Sequence, residues 1–259
     1  MSDLVRFEGV SKEFTDARSK KVTRALDRLD LGIAESQFVC VVGPSGCGKS
    51  TLLSAAAGIE PPTTGKVWFD GQVVTGPHHS RGMVFQDGAV FPWLTALENV
   101  CYGPPVRGVG KKEATARGRD VLEAVGLSGF ENHYPRQLSG GMRQRVAIAR
   151  SLANEPRLLL MDEPFGALDA QTRLTLQDLL LRVRESYRGT VLFVTHDVDE
   201  AILLGDRVVV LSARPGRVVL DLIVDLPRPR TSEVEMEETF LTIKRRVREA
   251  LRGGVEVNA

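Results

Sequence analysis

Residues 38–58, FVCVVGPSGCGKSTLLSAAAG, determine how the rest of the chain is interpreted. An apolar run ends at Gly43, a glycine-rich turn follows, and a helix-forming stretch then runs to Gly58. The spacing of the glycines before Lys49 fits the phosphate-binding loop pattern, and a strand before it with a helix after it is the context that supports this motif. The stretch therefore predicts a site for the phosphates of a nucleoside triphosphate.

The residue types of this loop suit phosphate chemistry. Glycines let the backbone curl so that several N–H groups point inward, where a side chain would block the approach of an anion. The helix that begins near Lys49 directs the positive end of its dipole at the same anion. Lys49 is expected to reach the β- and γ-phosphates, and the hydroxyl of Ser50 to ligate Mg²⁺. The predicted nucleotide-binding residues of the loop are Gly43, Pro44, Ser45, Gly46, Cys47, Gly48, Lys49, Ser50 and Thr51.

The composition of the chain is that of an ordinary globular protein. Of its 259 residues 42% are hydrophobic and 26% are charged, and a formal net charge of +1 offers no bulk attraction to nucleic acid or to an anionic membrane. Its 3 cysteines are too few and odd in number for a disulfide framework, and they lack the spacing of zinc ligands. No apolar run approaches the ~18 residues of a membrane-spanning helix, so we expect any membrane role to come through a partner.

Two further apolar stretches end in polar side chains. The stretch 157–164, RLLLMDEP, does not alternate and predicts a central parallel strand, buried on both faces, that ends at Asp162 and Glu163. Ligands of open α/β sheets collect outside the carboxyl ends of such strands, so these carboxylates are expected beside the phosphate loop. Asp162 suits Mg²⁺, and Glu163 suits polarisation of an attacking water. The stretch 190–197, TVLFVTHD, predicts another buried strand, and we favour a role in phosphate chemistry for its His196.

A second anion site is predicted from the stretch 138–156, LSGGMRQRVAIARSLANEP. Ser139 is a good N-cap, and Gly140 and Gly141 leave backbone N–H groups exposed at the start of a helix that is expected to run to about Asn154. The alternative is an ordinary capped amphipathic helix with one buried face.

The other segments complete an α/β organisation. Residues 4–14 and 22–34 have half-alternating patterns that predict an antiparallel sheet with one face toward solvent. Hairpins are predicted over 66–75, from an Asp-Gly turn signal, and over 206–226, from a Pro-Gly signal typical of a type I or II turn. The segment 88–155 is rich in Ala, Leu, Glu and Arg and predicts a helical subdomain inserted between strands.

The C-terminal segment predicts one amphipathic helix over about 232–252, with Ser232 and Glu235 as a capping box. We assign residues 1–225 to a nucleotide-binding domain and 226–259 to a C-terminal tail. The apolar stripe of the helix, which is expected to pack on the chain's own body, consists of Met236, Phe240, Ile243 and Val247.

Taken together, these motifs resemble the nucleotide-binding subunit of ABC transporters. The similarity covers about residues 4–225, and an LSGG sequence followed by MDEP is far more specific than the phosphate loop alone. It implies a P-loop NTPase core with a mostly parallel sheet, an antiparallel β subdomain and an inserted α-helical subdomain. It also implies ATP and Mg²⁺ as ligands and ATP hydrolysis as the activity. The ordered series that carries the resemblance is GPSGCGKST at 43–51, Gln86, LSGGM at 138–142, LLLMDEP at 158–164, ALD at 167–169 and His196.

The resemblance also implies roles for single residues. From periodicity alone Phe14 is either a core aromatic or a platform for a base, with the core favoured; the resemblance implies that it stacks on adenine. Gln86 would sense Mg²⁺ and the γ-phosphate, Glu163 would be the general base, and His196 would hold the γ-phosphate and water. Asp169 would contact the opposite subunit. The residues that would close over the ATP of that subunit are Ser139, Gly140 and Gly141.

A finer similarity is to the nitrate, sulfonate and taurine importers. It rests on VFQDGAVFPWLTALENV at 84–100, SARPGR at 212–217 and LPRPR at 226–230. The implied assembly has two copies of the chain, or one copy and a close relative, on the cytoplasmic face of the membrane beneath a pair of permease subunits fed by an external binding protein. The apolar run Phe91–Leu94 would line a groove for a short helix of the permease; the alternative is internal packing.

Other classes are weaker matches. Soluble ABC ATPases that act on DNA or ribosomes contain long coiled coils, zinc modules or two ATPase units in one chain, and this sequence shows none of these features. The stretches FPWLTALENV and SARPGR resemble importer subunits more than exporter subunits. Met142 stands where the family most often has Gln, and we expect activity to survive because the phosphate contacts would come from Ser139 and the glycine backbone. Cys47, close to a helix N-terminus, is predicted to be a reactive thiol.

Overall fold

A computed structural model describes residues 3–256 of the 259-residue chain. The strands are β1 (Asp3–Thr15), β2 (Val22–Ala34), β3 (Phe38–Val42), β4 (Thr64–Phe69), β5 (Gln72–Val73), β6 (Arg81–Val84), β7 (Leu158–Asp162), β8 (Thr190–Thr195), β9 (Arg207–Leu211) and β10 (Val218–Ile223). The helices are α1 (Lys49–Ala57), α2 (Ala96–Val100), α3 (Gly103–Val106), α4 (Lys111–Ala124), α5 (Gly140–Leu152), α6 (Ala170–Ser186), α7 (Val198–Leu204) and α8 (Glu238–Glu256). Two 3₁₀ turns span Pro135–Gln137 and Ser232–Met236.

The described chain divides into two compact units. The first unit contains residues 3–78 and 189–256, and the second unit contains residues 79–188. No helix in the described part of the chain is both long and apolar enough to cross a bilayer.

An antiparallel sheet of the first unit has the strand order β2-β1-β4-β5. Leu4, Val5 and Phe7 are buried on β1, which pairs with both β2 and β4. The hairpin between β4 and β5 turns at Asp70 and Gly71, whose φ angles of 51° and 73° are the positive values that a tight two-residue turn needs. The predicted antiparallel pair and the Asp-Gly hairpin are both confirmed.

The parallel strands of the first unit carry its core. β3 lies between β8 and β9 and is parallel to both, and all five of its residues are buried. Continuous burial is expected for a strand that is covered on both faces, which explains why FVCVV shows no polar alternation. β10 returns antiparallel to β9, as the hairpin prediction requires. The connection is not a four-residue turn, however, because Ser212 N–H donates to the Arg217 carbonyl at 2.9 Å and closes a longer loop.

The second unit combines a short parallel pair with helices. β6 pairs with β7, so that Val84 lies opposite Met161, and helices α2, α4 and α5 contact one another. Asn99 on α2 is fully buried, and its amide nitrogen donates to the carbonyls of Phe91 at 3.1 Å and Leu94 at 3.0 Å. These bonds fix the segment that leads into α2. The strands and inserted helices together confirm the predicted α/β fold class.

The C-terminal helix begins later than predicted. Ser232 and Glu235 lie in a 3₁₀ turn in which the Thr231 hydroxyl accepts the Glu233 N–H, and α8 itself starts at Glu238. The capping-box prediction is therefore wrong. Phe240, Ile243 and Val247 are buried as the stripe predicted, but Met236 precedes α8 and is 88% exposed.

Buried Arg230 attaches the segment before α8 to α7. Its side chain is 4% exposed, and its Nη1 donates to the carbonyls of Ile202 at 2.9 Å and Gly205 at 2.6 Å. Nη2 donates to the carbonyls of Val224 at 3.3 Å and Leu226 at 3.1 Å. Burial lowers the pKa of Arg230 to about 10, which leaves it charged at neutral pH. The arginine thus satisfies carbonyls at the end of a helix that would otherwise lack partners.

Replacing Arg230 should therefore destabilise the first unit. We expect Arg230→Met to lower the free energy of unfolding by about 3 kcal/mol, because several buried carbonyls lose their donor. Urea denaturation followed by circular dichroism measures this change. Arg246→Met, which replaces an exposed arginine on α8, should change stability by less than about 0.5 kcal/mol. Equal stabilities for the two variants would contradict this role of Arg230.

Candidate functional site

The predicted phosphate loop connects β3 to α1 in the first unit. Gly46 and Gly48 adopt φ angles of 76° and 106°, a region that residues with side chains rarely occupy. A Cβ at Gly48 would lie 2.8 Å from the carbonyl oxygen of Ala25, so this position has no room for a side chain. α1 begins without a side-chain cap. Helices that present their first N–H groups to an anion begin in the same way.

Lys49 lies inside the curl of this loop. The residue is 5% exposed, and its Nζ donates to the carbonyl of Gly43 at 2.8 Å and to that of Pro44 at 3.3 Å. The same Pro44 carbonyl accepts the Cys47 N–H at 3.2 Å. The loop therefore combines backbone curvature with one buried ammonium group, which is the combination that a phosphate chain needs.

His196 follows β8 at the same edge of the sheet as the phosphate loop. The register places Val42 opposite Thr195, so Gly43 and His196 each come directly after a paired residue. The His196 side chain is exposed, and Asp197 next to it caps α7 by accepting the Asp199 N–H at 2.8 Å. A buried strand on one side and a capped helix on the other hold the histidine backbone in place.

Phe14 lies near the end of β1 and is 42% exposed, so its interpretation as a core residue is wrong. The Lys12 ammonium lies 5.1 Å from the centroid of its ring, and the same Nζ pairs with Glu60 at 2.6 Å. The ring thus keeps an exposed surface, which is what a platform for a base requires.

In the second unit, the side chains of Gln86 and Glu163 both lie close to Gly166. A Cβ at Gly166 would lie 3.4 Å from Gln86 Nε2 and 3.6 Å from Glu163 Oε2. Glu163 directly follows Asp162, the last residue of β7, and has a φ angle of 40°. A positive φ is uncommon for a residue with a side chain and is often found where function fixes the backbone.

The two glycines of the LSGG sequence have different surroundings. Ser139 caps α5 by accepting the Met142 N–H at 3.2 Å, which confirms the predicted N-cap. Gly140 is exposed, and the nearest atom to a Cβ there would be 3.8 Å away. Gly141 is buried, and a Cβ there would overlap with Thr172 Cγ2 on α6. Packing of α5 against α6 therefore requires glycine at 141, whereas the surface at 140 remains open.

Asp169 caps α6, since its carboxylate accepts the Thr172 N–H at 2.9 Å and the Thr172 hydroxyl at 2.7 Å. These hydrogen bonds, the hydroxyl first, lower the pKa of Asp169. Any contact that Asp169 makes with a second chain would thus involve an ionised side chain at neutral pH.

The structure does not support a reactive Cys47. Its side chain is 1% exposed and is packed under Gly43, where a Cβ would lie 2.7 Å from the sulfur. A reagent therefore has no access to the sulfur, although Cys47 lies close to the N-terminus of α1.

The predicted magnesium ligands fit the chemistry of that ion. Ser50, Gln86 and Asp162 all offer oxygen atoms, the donors that Mg²⁺ prefers, and Mg²⁺ usually takes few protein ligands and retains waters. Within residues 3–256 no group of three or more His, Cys, Asp or Glu side chains gathers in a metal-binding arrangement.

Sequence reasoning missed two residues that shape these sites. The first is Thr172, which occupies the space that a side chain at Gly141 would need. The second is Arg214, whose Nε donates to the carbonyl of Gly46 at 2.9 Å. Both contacts join positions that are distant in sequence. The SARPGR run at 212–217 contributed to the importer resemblance but did not indicate a contact with the phosphate loop.

Comparisons with known proteins agree with this geometry. A family model described as ABC transporter matches residues 26–166. The nitrate import ATP-binding protein NrtD of Synechocystis is 46% identical over 235 residues, covering 88% of this chain and 88% of the relative. The taurine import ATP-binding protein TauB of Burkholderia thailandensis is 52% identical over 205 residues, covering 79% of this chain and 78% of the relative.

A solved structure extends the similarity to three dimensions. A dimeric ATP-binding cassette in a post-hydrolysis state, bound to ADP and Pi, superposes with a TM-score of 0.74 at 34% identity, covering 86% of this chain and all of the other. The P-loop NTPase fold and the ATP ligand inferred from the sequence are thereby confirmed. The chain belongs to the ATP-binding proteins of the ABC transporter family and is an ATPase.

Proposed function

We propose that the chain is the ATP-hydrolysing subunit of an importer for a small anion such as nitrate, a sulfonate or taurine. The relatives named for nitrate and taurine import support this solute class. In this proposal, residues 1–225 are the nucleotide-binding domain, with the helical subdomain at about 88–155, and residues 226–259 are a C-terminal tail. Permease subunits hold the chain at the cytoplasmic face of the membrane, and an external binding protein delivers the solute to them.

Residues of the first unit bind the nucleotide. The loop 43–51 cradles the phosphates with its N–H groups, and Lys49 neutralises charge on the β- and γ-phosphates. Phe14 stacks on adenine, for which its exposed ring is suited. His196 holds the γ-phosphate and the attacking water. The buried position of Lys49 supports this role, because a buried ammonium gains most from an anionic partner.

Residues of the second unit carry out hydrolysis. The attacking water gives a proton to the Glu163 carboxylate while its oxygen bonds to the γ-phosphorus. The bond from that phosphorus to the bridging oxygen breaks, and the products are ADP and phosphate. Mg²⁺ would be held by Ser50, Gln86 and Asp162, and when bound it neutralises charge on the phosphates. The proximity of Gln86 and Glu163 beside Gly166 supports joint action on one ligand.

Each complete site would need two chains. The start of α5 offers N–H groups to an anion, yet the chain's own ATP already has a cradle in residues 43–51. Ser139 and the backbone of Gly140 therefore close over the ATP of a second copy or a close relative, and Asp169 contacts that chain. The dimeric state of the solved cassette supports this arrangement.

The proposed contact with a permease is supported by one observation, the aromatic surface formed by Phe91, Trp93 and Tyr102. Trp93 is 69% exposed and Tyr102 is 54% exposed. The Phe91 ring is close to both of them, with its centroid 5.6 Å from that of Trp93 and 4.7 Å from that of Tyr102. Exposed aromatic clusters of this kind are costly in water and typical of contacts with a partner. A short helix of the permease is the proposed partner.

Glu163→Gln tests the hydrolytic role. We expect this variant to bind ATP with unchanged affinity but to lose turnover by at least about 10²-fold, since the water loses its general base. Steady-state phosphate release and nucleotide titration measure the two quantities. Lys49→Ala is the complementary control and should lose ATP binding. Near-normal hydrolysis by Glu163→Gln would refute the assignment of the base.

The two-chain site can be tested by light scattering on Glu163→Gln. We expect a dimer with Mg·ATP and a monomer with Mg·ADP, because cleavage removes the γ-phosphate that α5 of the partner contacts. Adding Gly140→Asp should abolish the dimer through repulsion of the phosphates, while an acid at a helix start is compatible with folding. Gly140→Ala is the matched control. Gly141 is unsuitable because any side chain there meets Thr172 of the same chain. An ATP dimer that survives Gly140→Asp would contradict the arrangement.

Trp93→Ala tests coupling to the permease. The isolated variant should retain folding and basal ATPase activity within about twofold, because the side chain is largely exposed. Its recovery with co-expressed permease subunits should fall at least about tenfold, the loss that is typical of an aromatic hot spot. Tyr134→Ala removes an exposed aromatic outside the aromatic surface and serves as the control. Equal permease recovery for both variants would exclude this surface as the docking site.

A further inference from the structure

The loop 212–217 between β9 and β10 is built as a rigid element. The Ser212 hydroxyl donates to the carbonyl of Pro215 at 3.0 Å and accepts the Arg217 N–H at 3.0 Å. Ser212 is itself 7% exposed. A buried hydroxyl that bridges two sides of a loop restricts the backbone of that loop.

This loop is fastened to β2. The Gly216 N–H donates to the carbonyl of Ala25 at 2.9 Å, and the Asp27 N–H returns a bond to the carbonyl of Gly216 at 3.1 Å. Arg217 pairs with the carboxylate of Asp27, which is 6% exposed, and its Nε donates at 2.9 Å. The hydrogen bond from Arg217 lowers the pKa of Asp27, so the pair is ionised at neutral pH.

The loop 212–217 packs against the phosphate loop. A Cβ at Gly216 would overlap with the carbonyl oxygen of Cys47, so the two backbones approach as closely as glycine allows. Arg214 projects from the same loop and donates from Nε to the carbonyl of Gly46 at 2.9 Å. Its Nη2 would lie 2.9 Å from a Cβ placed at Gly46.

We propose that Arg214 is a positioning residue for the phosphate loop. Its guanidinium holds the outward carbonyl of Gly46, which fixes the peptide group between Gly46 and Cys47. The N–H of that peptide donates to Pro44, so one hydrogen-bonded series runs from Arg214 through the curl of the loop. The loop keeps the curvature that directs its other N–H groups at an anion, and ATP binds without first having to order it.

This role predicts an effect on binding rather than on the chemical step. Arg214 donates to the backbone carbonyl of Gly46, so its proposed effect is on the shape of the binding loop. A hydrogen bond of this kind at an exposed site is worth about 3- to 10-fold in an equilibrium constant. The inference depends on the proposed phosphate-binding role of residues 43–51, and its test separates the two.

The experiment measures ATP affinity, kcat and nucleotide-induced thermal stabilisation of the full chain. For Arg214→Ala we expect Kd and KM for ATP to rise about 3- to 10-fold while kcat at saturating ATP stays within about twofold. The Tm without nucleotide should be unchanged because the side chain is exposed, but the shift that ATP induces should be smaller. Arg214→Lys, which retains a cationic donor, should recover part of the affinity. Arg246→Ala, which removes an exposed arginine from α8, controls for net charge.

Three outcomes are decisive. Wild-type affinity in Arg214→Ala, with binding lost in Lys49→Ala, would overturn the role of Arg214 and leave the proposed ATP site intact. A fall in kcat with unchanged affinity would place Arg214 in the chemical step and would also overturn the proposal. Unchanged ATP binding in Lys49→Ala would show that the loop is not the phosphate site, and both inferences would fail.

Discussion

Every peptide group that directs its N–H into the phosphate loop must direct its carbonyl out of it, and the first unit is organised around this constraint. The outward carbonyl of Gly46 accepts from Arg214, and the backbone of Gly216 lies close to the carbonyl of Cys47. On the inner side, Lys49 donates to the carbonyls of Gly43 and Pro44. The curvature of the loop is therefore a property of three packed segments and not of one motif.

Glycine is required in the phosphate loop and the LSGG sequence for two physical reasons, backbone conformation and lack of space for a side chain. Gly48 is needed because of its positive φ and the nearby Ala25 carbonyl, and Gly141 because Thr172 occupies the space of a side chain. Gly140 meets neither constraint within its own chain, although it belongs to the same LSGG sequence. A ligand outside the chain would account for its small size, as the two-chain proposal describes.

Local chemistry made much of the fold predictable. The Asp-Gly hairpin, the Ser139 cap and the apolar run of β3 depend on neighbouring residues, and all three formed as predicted. Long-range contacts were not predictable, because nothing in SARPGR or LPRPR indicates that Arg214 reaches the phosphate loop or that Arg230 reaches α7. Burial also overrode local signals: proximity to a helix start suggested a reactive Cys47, but packing covers its sulfur, and apolar periodicity favoured burial of Phe14, whose ring is exposed.

In the proposed function, the loop between β3 and α1 binds nucleotide through its phosphates. Calorimetric titration with ADP, AMP and adenosine tests this mode of binding, because the three ligands share the base that Phe14 would contact. We expect affinity to fall by at least about 10²-fold between ADP and adenosine, since charge-assisted contacts from the loop and Lys49 are lost. If adenosine bound with an affinity within about tenfold of that of ADP, binding would depend mainly on contacts with the base and ribose, and the loop would not be the main nucleotide-binding element.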